Sequence, residues 1–371
     1  MNARRAPYLL VVAMFLGACG GGSQPAPSAA PAAATAPAAA SEPTKAPEAA
    51  AAATATKPPA PTPPPANCDK LPNMPTVKAG ELGSPDEPIV LAFVPSGDTG
   101  KITKAGNAIA ECLSKMTGLS YKIEVGTTYA ASIEAMGANK AHVGFLNTFS
   151  ILLAREKYGI EPALINLRKY STNAIDPDKD LAGKLSPYYK GQFITQAASG
   201  IKTLADLKGK TFCFVDPNSA SGYIIPRIIL KANGIDPEKD LKATQNAGSH
   251  PNVAVAVYKG DCDAGVTFID VLTDAAANLK EKFPDIATKV VAFADSDRIP
   301  NDGVQYVKSL DPAIKDATTT ALLAMAADKG GVAVLGNLYS INGYSKLDKP
   351  YYEDFGAVLK KAGVDAASLV K

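Results

Sequence analysis

Hydrophobic and polar positions follow two periods along most of the chain after residue 86. Short apolar runs such as "PIVLAFV" have the length of strands, whereas stretches such as "KAGNAIAECLSKMTG" repeat apolar residues at helical spacing. The two kinds of segment alternate before and after a polar stretch, "NAIDPDKDLAGKLSPYYKG", at residues 173–191. This rhythm predicts an α/β protein of two similar lobes, each a mostly parallel sheet flanked by helices.

The N-terminus has a different pattern. Arg4 and Arg5 precede the apolar run "APYLLVVAMFL", which is too short for a stable membrane-spanning helix and is typical of a signal peptide. The run ends in "LGAC", and small residues before Cys19 resemble a lipobox, the processing signal of bacterial lipoproteins. The resemblance implies cleavage before Cys19 and lipid attachment to its thiol and new amino group. The alternative is a plain secretory signal with an incidental cysteine.

The next segment consists almost entirely of Ala, Pro, Gly, Ser and Thr. Such a composition cannot bury a core and predicts a disordered tether. We expect five segments along the chain: a signal peptide at 1–18, a tether at 19–66, a first segment of lobe 1 at 67–188, lobe 2 at 189–295, and a return to lobe 1 with C-terminal helices at 296–371.

Composition and cysteine count narrow the class of protein. The 371 residues are 46% hydrophobic with a net charge of +2, which gives no case for nucleic-acid binding. Four cysteines follow Cys19, namely Cys68, Cys112, Cys213 and Cys262, and their spacing matches no metal pattern. An even number in an exported chain suggests disulfides, with three pairings open, or else four buried thiols. Since Cys213 and Cys262 lie in or beside predicted strands, we favour the pairs Cys213–Cys262 and Cys68–Cys112.

The junction "DPNSASGYIIP" is the first candidate for chemistry. A strand-like run, "KTFCFV", stops there, and a helical pattern begins after Ser219, Ser221 and Gly222. A helix cap needs only one hydroxyl, and the unpaired N–H groups of a helix N-terminus bind anions. Gly222 lacks a Cβ, so a ligand could approach the backbone. From the pattern alone, a simple cap and an anion site remain equally open.

A second junction, "GSHPN", also precedes a helix. Pro251 suits the first helical position, which places Ser249 and His250 at the mouth of that helix. His250 is either a surface histidine beside a turn or a hydrogen-bond donor to an anion.

Three further residues follow predicted strands. Tyr129, Thr148 and Asp270 either begin or cap helices, or face a cleft beyond the strand ends. His142 lies within an apolar strand pattern and is interpreted as structural.

Motifs of catalysis are absent from the sequence. It has no G-x-S-x-G elbow, no P-loop and no H-E-x-x-H. Ser-rich helix starts without a general base indicate that the protein binds a ligand rather than transforming it, with no cofactor and no metal.

Together these segments resemble the phosphate/phosphite/phosphonate-binding branch of ABC-transporter solute-binding proteins. The resemblance rests on "DPNSASGYIIPRIILKANGID" and "GSHPNVAVAVYKGDCDAGVTFID" and covers roughly residues 86–310. It implies the two-lobed periplasmic-binding-protein fold of type II, with the ligand in the cleft between the lobes. The implied ligand residues are Ser219, Ala220 through its N–H, Ser221, Gly222, Tyr223, Ser249, His250, Tyr129, Thr148 and Asp270.

The resemblance also implies a function. We expect an extracytoplasmic, lipid-anchored monomer that captures a phosphonate, phosphite or phosphate-like oxyanion and delivers it to an ABC permease. The alternatives are an anion-sensing ectodomain for a signalling partner, a binding protein for a sulfonate-type anion, and an enzyme acting on a phosphorylated metabolite.

Overall fold

The structure is a computed structural model that describes residues 63–175 and 181–366. The predicted signal peptide, Cys19 and residues 19–62 of the predicted tether lie outside the described residues. No single helix in the described ranges is long and apolar enough to cross a membrane.

Strands and helices alternate through both halves of the described chain. The strands are β1 Ile89–Phe93, β2 Tyr121–Val125, β3 Val143–Phe145, β4 Glu161–Lys169, β5 Leu185–Ser186, β6 Tyr188–Tyr189, β7 Gly191–Gln196, β8 Thr211–Phe214, β9 Ala243–Asn246, β10 Ala264–Phe268, β11 Val290–Asp295, β12 Ile299–Pro300, β13 Gly303–Tyr306 and β14 Gly343–Lys346. The α-helices are α1 Thr99–Thr117, α2 Tyr129–Gly137, α3 Thr148–Tyr158, α4 Ile225–Ala232, α5 His250–Lys259, α6 Leu279–Lys282, α7 Ile286–Lys289, α8 Pro312–Ala327, α9 Lys329–Tyr339 and α10 Tyr351–Lys361.

Two sheets define two lobes. The first has the order β14-β4-β13-β3-β1-β2, with β5 paired to β4, and we call the elements around it lobe 1. The second has the order β11-β7-β10-β8-β9 and defines lobe 2. Where the chain passes between the lobes, β6 and β12 pair antiparallel as a small third sheet. The polypeptide therefore crosses at least twice between lobes at this pair of strands.

The prediction that each sheet is mostly parallel is wrong. In lobe 1, β1 is parallel to β2 and β3, but β13 is antiparallel to β3 and β4, as are β14 and β5 to β4. In lobe 2, β8 is parallel to β9 and β10, whereas β7 is antiparallel to β10 and β11. Strands joined through a crossover helix are parallel, as the connection requires. The antiparallel strands are those that enter a sheet directly from the passage between lobes or return from the C-terminal part.

The segment "DVLTDAAANLKEKFP" after β10 is mostly turns, with only α6 helical. Asp270 and Asn278 adopt left-handed backbone conformations with φ of 69° and 59°, which a continuous helix excludes. The Asp274 carboxylate accepts hydrogen bonds from the N–H groups of Ala276 and Ala277, at 2.8 and 3.0 Å. These local bonds replace the helical ladder and bring the segment to the edge of the cleft.

Both favoured cysteine pairs are disulfides in the structure. Cys68–Cys112 ties the start of the described chain to α1, and Cys213–Cys262 ties β8 to the loop before β10. The second bridge fixes the strand that leads into the serine-rich junction.

Candidate binding site between the lobes

A cavity lies between the two sheets, where helix starts from both lobes meet the crossing strands. It is lined by Ser96, Gly97, Tyr129, Asn147, Arg168, Tyr189, Ser219, Ser221, His250, Phe268, Asp274, Ala276, Ala277, Asp302, Leu338 and Tyr339. The volume of the cavity that the centre of a water molecule can occupy is about 40 Å³. Roughly 10–15 Å³ of such volume is enough for one water. The cavity therefore has room for a few waters or for one compact tetrahedral ion.

The serine-rich junction forms a π-helical turn at Ala220–Ile224, which continues into α4. Ser219 is the N-cap, and its Oγ accepts a hydrogen bond from the Gly222 N–H at 3.1 Å. Pro226 is tolerated because it falls in the first turn of α4. The first N–H groups of a helix lack partners within it, so the turn presents donors beside the two serine hydroxyls.

Gly222 serves packing rather than ligand approach. A Cβ at this position would lie 2.3 Å from Val215 Cγ2 and 2.9 Å from Ser219 Oγ. The absent side chain thus lets the turn fold back against the end of β8, and Gly222 does not itself line the cavity.

Ser221 is oriented by a tyrosine from the crossing strand β6. The Tyr189 hydroxyl donates to Ser221 Oγ at 3.3 Å. Because the serine oxygen accepts this bond, its own hydroxyl proton remains available to a ligand in the cavity. Burial raises the pKa of Tyr189, so that the phenol stays protonated and able to donate.

His250 is a neutral donor of defined tautomer. Its Nδ1 accepts a hydrogen bond from the Phe268 N–H at 2.9 Å, which leaves the proton of the neutral ring on Nε2. Nε2 lies 3.5 Å from Ser219 Oγ, at the cavity wall. Burial lowers the pKa of His250 to about 3, with a smaller contribution from Arg168. The ring therefore offers a hydrogen bond without a charge.

Tyr129 starts α2 and is completely buried, with 0% of its surface exposed. Its hydroxyl has no hydrogen-bond partner among the described residues and lines the cavity. Buried polar groups are nearly always paired in proteins. The hydroxyl is therefore suited to form a hydrogen bond with an atom of a bound molecule.

The sequence reasoning missed a buried ion pair on the cavity wall. Arg168, in β4, donates from Nη2 to Asp302 Oδ2 at 2.9 Å, and the two side chains are only 14% and 13% exposed. The Arg168 Nε has no partner among the described residues. Burial raises the pKa of Asp302, and the nearby Arg168 charge opposes that shift. The site therefore has a charged donor and a carboxylate beside the neutral groups of the two serine-containing loops.

Other predicted ligand residues support the wall rather than line it. Thr148 Oγ1 donates to the Pro300 carbonyl at 2.6 Å, and its backbone N–H bonds to Asp302. Ser249 caps α5 by accepting from the Asn252 N–H at 3.4 Å. Neither side chain is part of the cavity surface.

Three further positions lie elsewhere. Asp270 Oδ1 accepts from Ser171 Oγ at 2.8 Å and from Asn173 Nδ2 at 3.0 Å, in a depression beside the cavity. The Tyr223 ring packs under the Arg227 guanidinium, at 4.9 Å, and Ala220 is buried within the turn without reaching the cavity surface. His142 is half-buried and accepts from the Val90 N–H at 3.0 Å, a structural role in the lobe 1 sheet.

Contacts across the cleft surround the cavity. The His250 N–H of lobe 2 donates to the Ser96 carbonyl of lobe 1 at 3.3 Å, and Asn147 Nδ2 donates to the Asn218 carbonyl at 2.9 Å. At the rim, Lys282 pairs with Asp98 at 2.7 Å, and Lys101 pairs with Glu281 at 3.0 Å. The lobes therefore meet around the site, and a bound molecule would be held from both sides.

The lining chemistry suits an oxyanion. Hydroxyls, a neutral imidazole N–H and a guanidinium line one small volume. In the ranges 63–175 and 181–366, no group of three or more His, Cys, Asp or Glu side chains is placed to hold a metal ion.

The fold and the cleft site define a class, the two-lobed solute-binding proteins. Solved structures with this fold include a binding protein of a phosphonate ABC transporter from Pseudomonas aeruginosa, with a TM-score of 0.62, 21% identity, and coverage of 76% of this chain and 92% of that one. Another is PhnD1 from Prochlorococcus marinus in complex with methylphosphonate, with a TM-score of 0.62, 17% identity, and coverage of 74% and 98%. At these identities the likeness establishes the type II two-lobed fold alone.

A sequence model described as "ABC transporter, phosphonate, periplasmic substrate-binding protein" matches residues 91–352. The chain belongs to this family of periplasmic substrate-binding proteins of phosphonate ABC transporters. It is 30% identical over 195 residues, 51% of its length, to the phosphate-import protein PhnD of Mycolicibacterium smegmatis, and 26% identical over 211 residues, 55% of its length, to the phosphonates-binding periplasmic protein of Escherichia coli. The alignments span 57% and 56% of those two relatives.

Proposed function

We propose that this chain captures a compact phosphonate, phosphite or phosphate-like anion in the cavity between its lobes and delivers it to an ABC permease. The observation that carries the proposal is that donors from both lobes line one small cavity. Ser219, Ser221 and His250 contribute from lobe 2, and Tyr129 and Arg168 from lobe 1. A bound anion would join the lobes because its oxygens accept from both.

The donor set favours tight but reversible binding. Binding is tight because hydrogen bonds to a charged acceptor are stronger than those between neutral groups. It is reversible because most of the donors are themselves uncharged. The descriptions of the two relatives, phosphate import in one and phosphonate binding in the other, fit the same chemistry.

We also propose that the predicted lipid at Cys19 and the tether of residues 19–66 hold the two-lobed body at the extracytoplasmic face of the membrane. The sequence pattern supports this arrangement. Cys19→Ala should abolish the incorporation of labelled fatty acid when the protein is expressed in a bacterium that processes lipoproteins. Unchanged incorporation in that variant would contradict the lipid anchor.

Calorimetry on protein freed of carried-over anion tests the ligand class. The panel is phosphate, phosphite, methylphosphonate, aminoethylphosphonate, sulfate and a sulfonate. Binding of at least one phosphorus anion is expected, and binding of the sulfonate alone would contradict the proposal. For delivery, uptake of the bound anion should need both this chain and its permease in reconstituted vesicles.

A further inference from the structure

The Arg168–Asp302 pair places a carboxylate on the wall of a cavity whose other polar groups are mostly donors. An anion that enters with no proton of its own would meet this carboxylate as a like charge. An anion that carries a hydroxyl would instead donate a hydrogen bond to it. The pair therefore distinguishes ligands by whether they bring a proton.

We propose that Arg168 and Asp302 form a recognition pair that selects an oxyanion carrying a hydroxyl proton. Arg168 donates through Nε to one ligand oxygen, and Asp302 accepts a hydrogen bond from a ligand hydroxyl. This inference rests on the proposed function and specifies the chemical form of the ligand: a compact phosphorus oxyacid anion with a P–OH, as opposed to a fully deprotonated anion of the same shape such as sulfate.

Arg168 has the capacity for this role. Asp302 occupies its Nη2, and the Tyr189 ring lies 5.8 Å from the guanidinium carbon, which together fix the orientation of the side chain. The Nε remains without a partner among the described residues although it is buried. A ligand oxygen in the cavity supplies the acceptor that this N–H needs.

Asp302 also has spare capacity. An ionised carboxylate offers about four acceptor positions, and the protein fills some of them from Arg168 and Thr148. The side chain lines the cavity, so a remaining position is within reach of the ligand.

Among the groups that surround it, Asp302 is the charged acceptor for a hydrogen bond from the ligand. Besides Arg168, four buried tyrosines lie near it, namely Tyr129, Tyr189, Tyr339 and Tyr352, and burial raises the pKa of each, which keeps them protonated. Tyr339 donates to the Val94 carbonyl at 2.7 Å and Tyr352 to the Asn301 carbonyl at 3.1 Å. These phenols are neutral acceptors at most, whereas Asp302 offers a charged acceptor, to which hydrogen bonds are stronger.

Asp274 is the matched control, because it is a second carboxylate on the same cavity wall. Its Oδ1 accepts from the N–H groups of Ala276 and Ala277, and its Oδ2 accepts from the Ser340 hydroxyl. Both oxygens of Asp274 are thus bonded within the protein. Asp274 should therefore stabilise the local fold without accepting a hydrogen bond from the ligand hydroxyl.

Isothermal calorimetry at neutral pH with phosphate, methylphosphonate and sulfate tests the pair in the wild type, Asp302→Asn and Asp274→Asn. The wild type should bind phosphate or methylphosphonate at least ~100-fold more tightly than sulfate, since a site built around a hydrogen bond rejects an analogue that lacks it. Asp302→Asn should narrow that ratio at least ~10-fold, because an amide can donate to a deprotonated oxygen. Asp274→Asn removes a like charge without removing an acceptor for the ligand proton, so it should narrow the ratio less than Asp302→Asn does.

Equal wild-type affinity for sulfate and phosphate would overturn the inference without any variant, and so would an unchanged ratio in a folded Asp302→Asn. If that variant does not fold, Arg168→Gln combined with Asp302→Asn removes both charges and should narrow the ratio in the same way. Binding of aminoethylphosphonate alone, without phosphate or methylphosphonate, would also overturn it while leaving the proposed function intact. Failure to bind any phosphorus anion would instead defeat the proposed function.

Discussion

Single donor atoms decide what this cavity can hold, and Ser221 is the clearest of them. Its oxygen accepts a hydrogen bond from Tyr189, so its own proton is available to the proposed ligand. A hydrogen bond to a charged group contributes about 1.5–3 kcal/mol. Ser221→Ala should therefore weaken anion binding at least about tenfold, as measured by calorimetry.

Ser249→Ala is the matched control for that substitution. Ser249 caps α5 outside the cavity surface, so its loss should cost about 1 kcal/mol of stability with little change in affinity. Equal losses of affinity in both variants would return Ser249 to the ligand set that the family resemblance implies.

The buried His250 ring makes stability depend on pH. Its pKa is lowered to about 3, whereas an exposed histidine titrates near 6.5. Between these values the unfolded chain binds a proton that the folded protein does not. Stability therefore rises with pH in this window and is lost as the pH falls below about 6.5.

Urea unfolding at pH 7 and pH 5 measures this effect. The wild type should lose about 2 kcal/mol through His250 between the two values, and His250→Gln should lose correspondingly less. His142 also has a lowered pKa through burial, but it is present in both proteins and cancels in the difference. Identical pH dependence would show that the His250 ring is not kept neutral by burial.

The sequence could predict some of these residues and not others. Ser219, Ser221, His250 and Tyr129 lie at helix starts that follow strands, a local pattern that one chain displays on its own. Arg168 and Asp302 are separated by 134 residues and meet only after the crossing strands pair. Their partnership depends on tertiary structure, for which the local sequence carries no signal.

At the scale of elements, the π-helical turn at Ala220–Ile224 determines where the serines point. Its close approach to β8 needs Gly222, since a Cβ would overlap Val215. Gly222→Ala should destabilise the protein by about 1–3 kcal/mol, the usual cost of overpacking, and weaken anion binding by displacing Ser219 and Ser221. Denaturant unfolding and calorimetry measure the two effects.

Gly336→Ala, within α9, provides the comparison. Its Cβ would have only an ordinary contact, 3.8 Å from the Ile341 carbonyl, and alanine favours a helix over glycine. This variant should be neutral or stabilising and should bind normally. If Gly222→Ala behaved in the same way, the described packing of the turn would be incorrect.

For the whole molecule, ion pairs at the rim of the cleft link lobe closure to charge. Lys282 pairs with Asp98 across the cleft. Exposed pairs contribute about 0.2–1 kcal/mol, so Lys282→Glu should speed ligand release by up to about fivefold, more at low salt than at high salt. Stopped-flow measurement of release tests this prediction.

Lys115→Glu is the control for that experiment, because Lys115 pairs with Glu111 within α1 and not across the cleft. It should leave the release rate unchanged. Faster release in both variants would trace the effect to net charge rather than to the rim.

The two-lobed α/β architecture could be predicted from the alternation of strands and helices, but the strand directions could not. The alternation indicates which segments are strands, while β7 and β13 take their direction from how the chain passes between lobes. The direction of β14 follows from the return of the chain after α8 and α9. That passage lies in the polar region around β5 and β6, where periodicity is weak. The direction in which these distant strands pair is therefore not encoded in the local sequence pattern.

If the cavity between the lobes binds a phosphorus oxyanion, donors from both lobes should contribute to its affinity. Calorimetric titration of anion-free protein with phosphate and methylphosphonate, beside Ser221→Ala and Arg168→Gln, measures these contributions. We expect saturable binding to the wild type that is weakened by substitution in either lobe. No binding of any phosphorus anion, or full affinity in both variants, would contradict it.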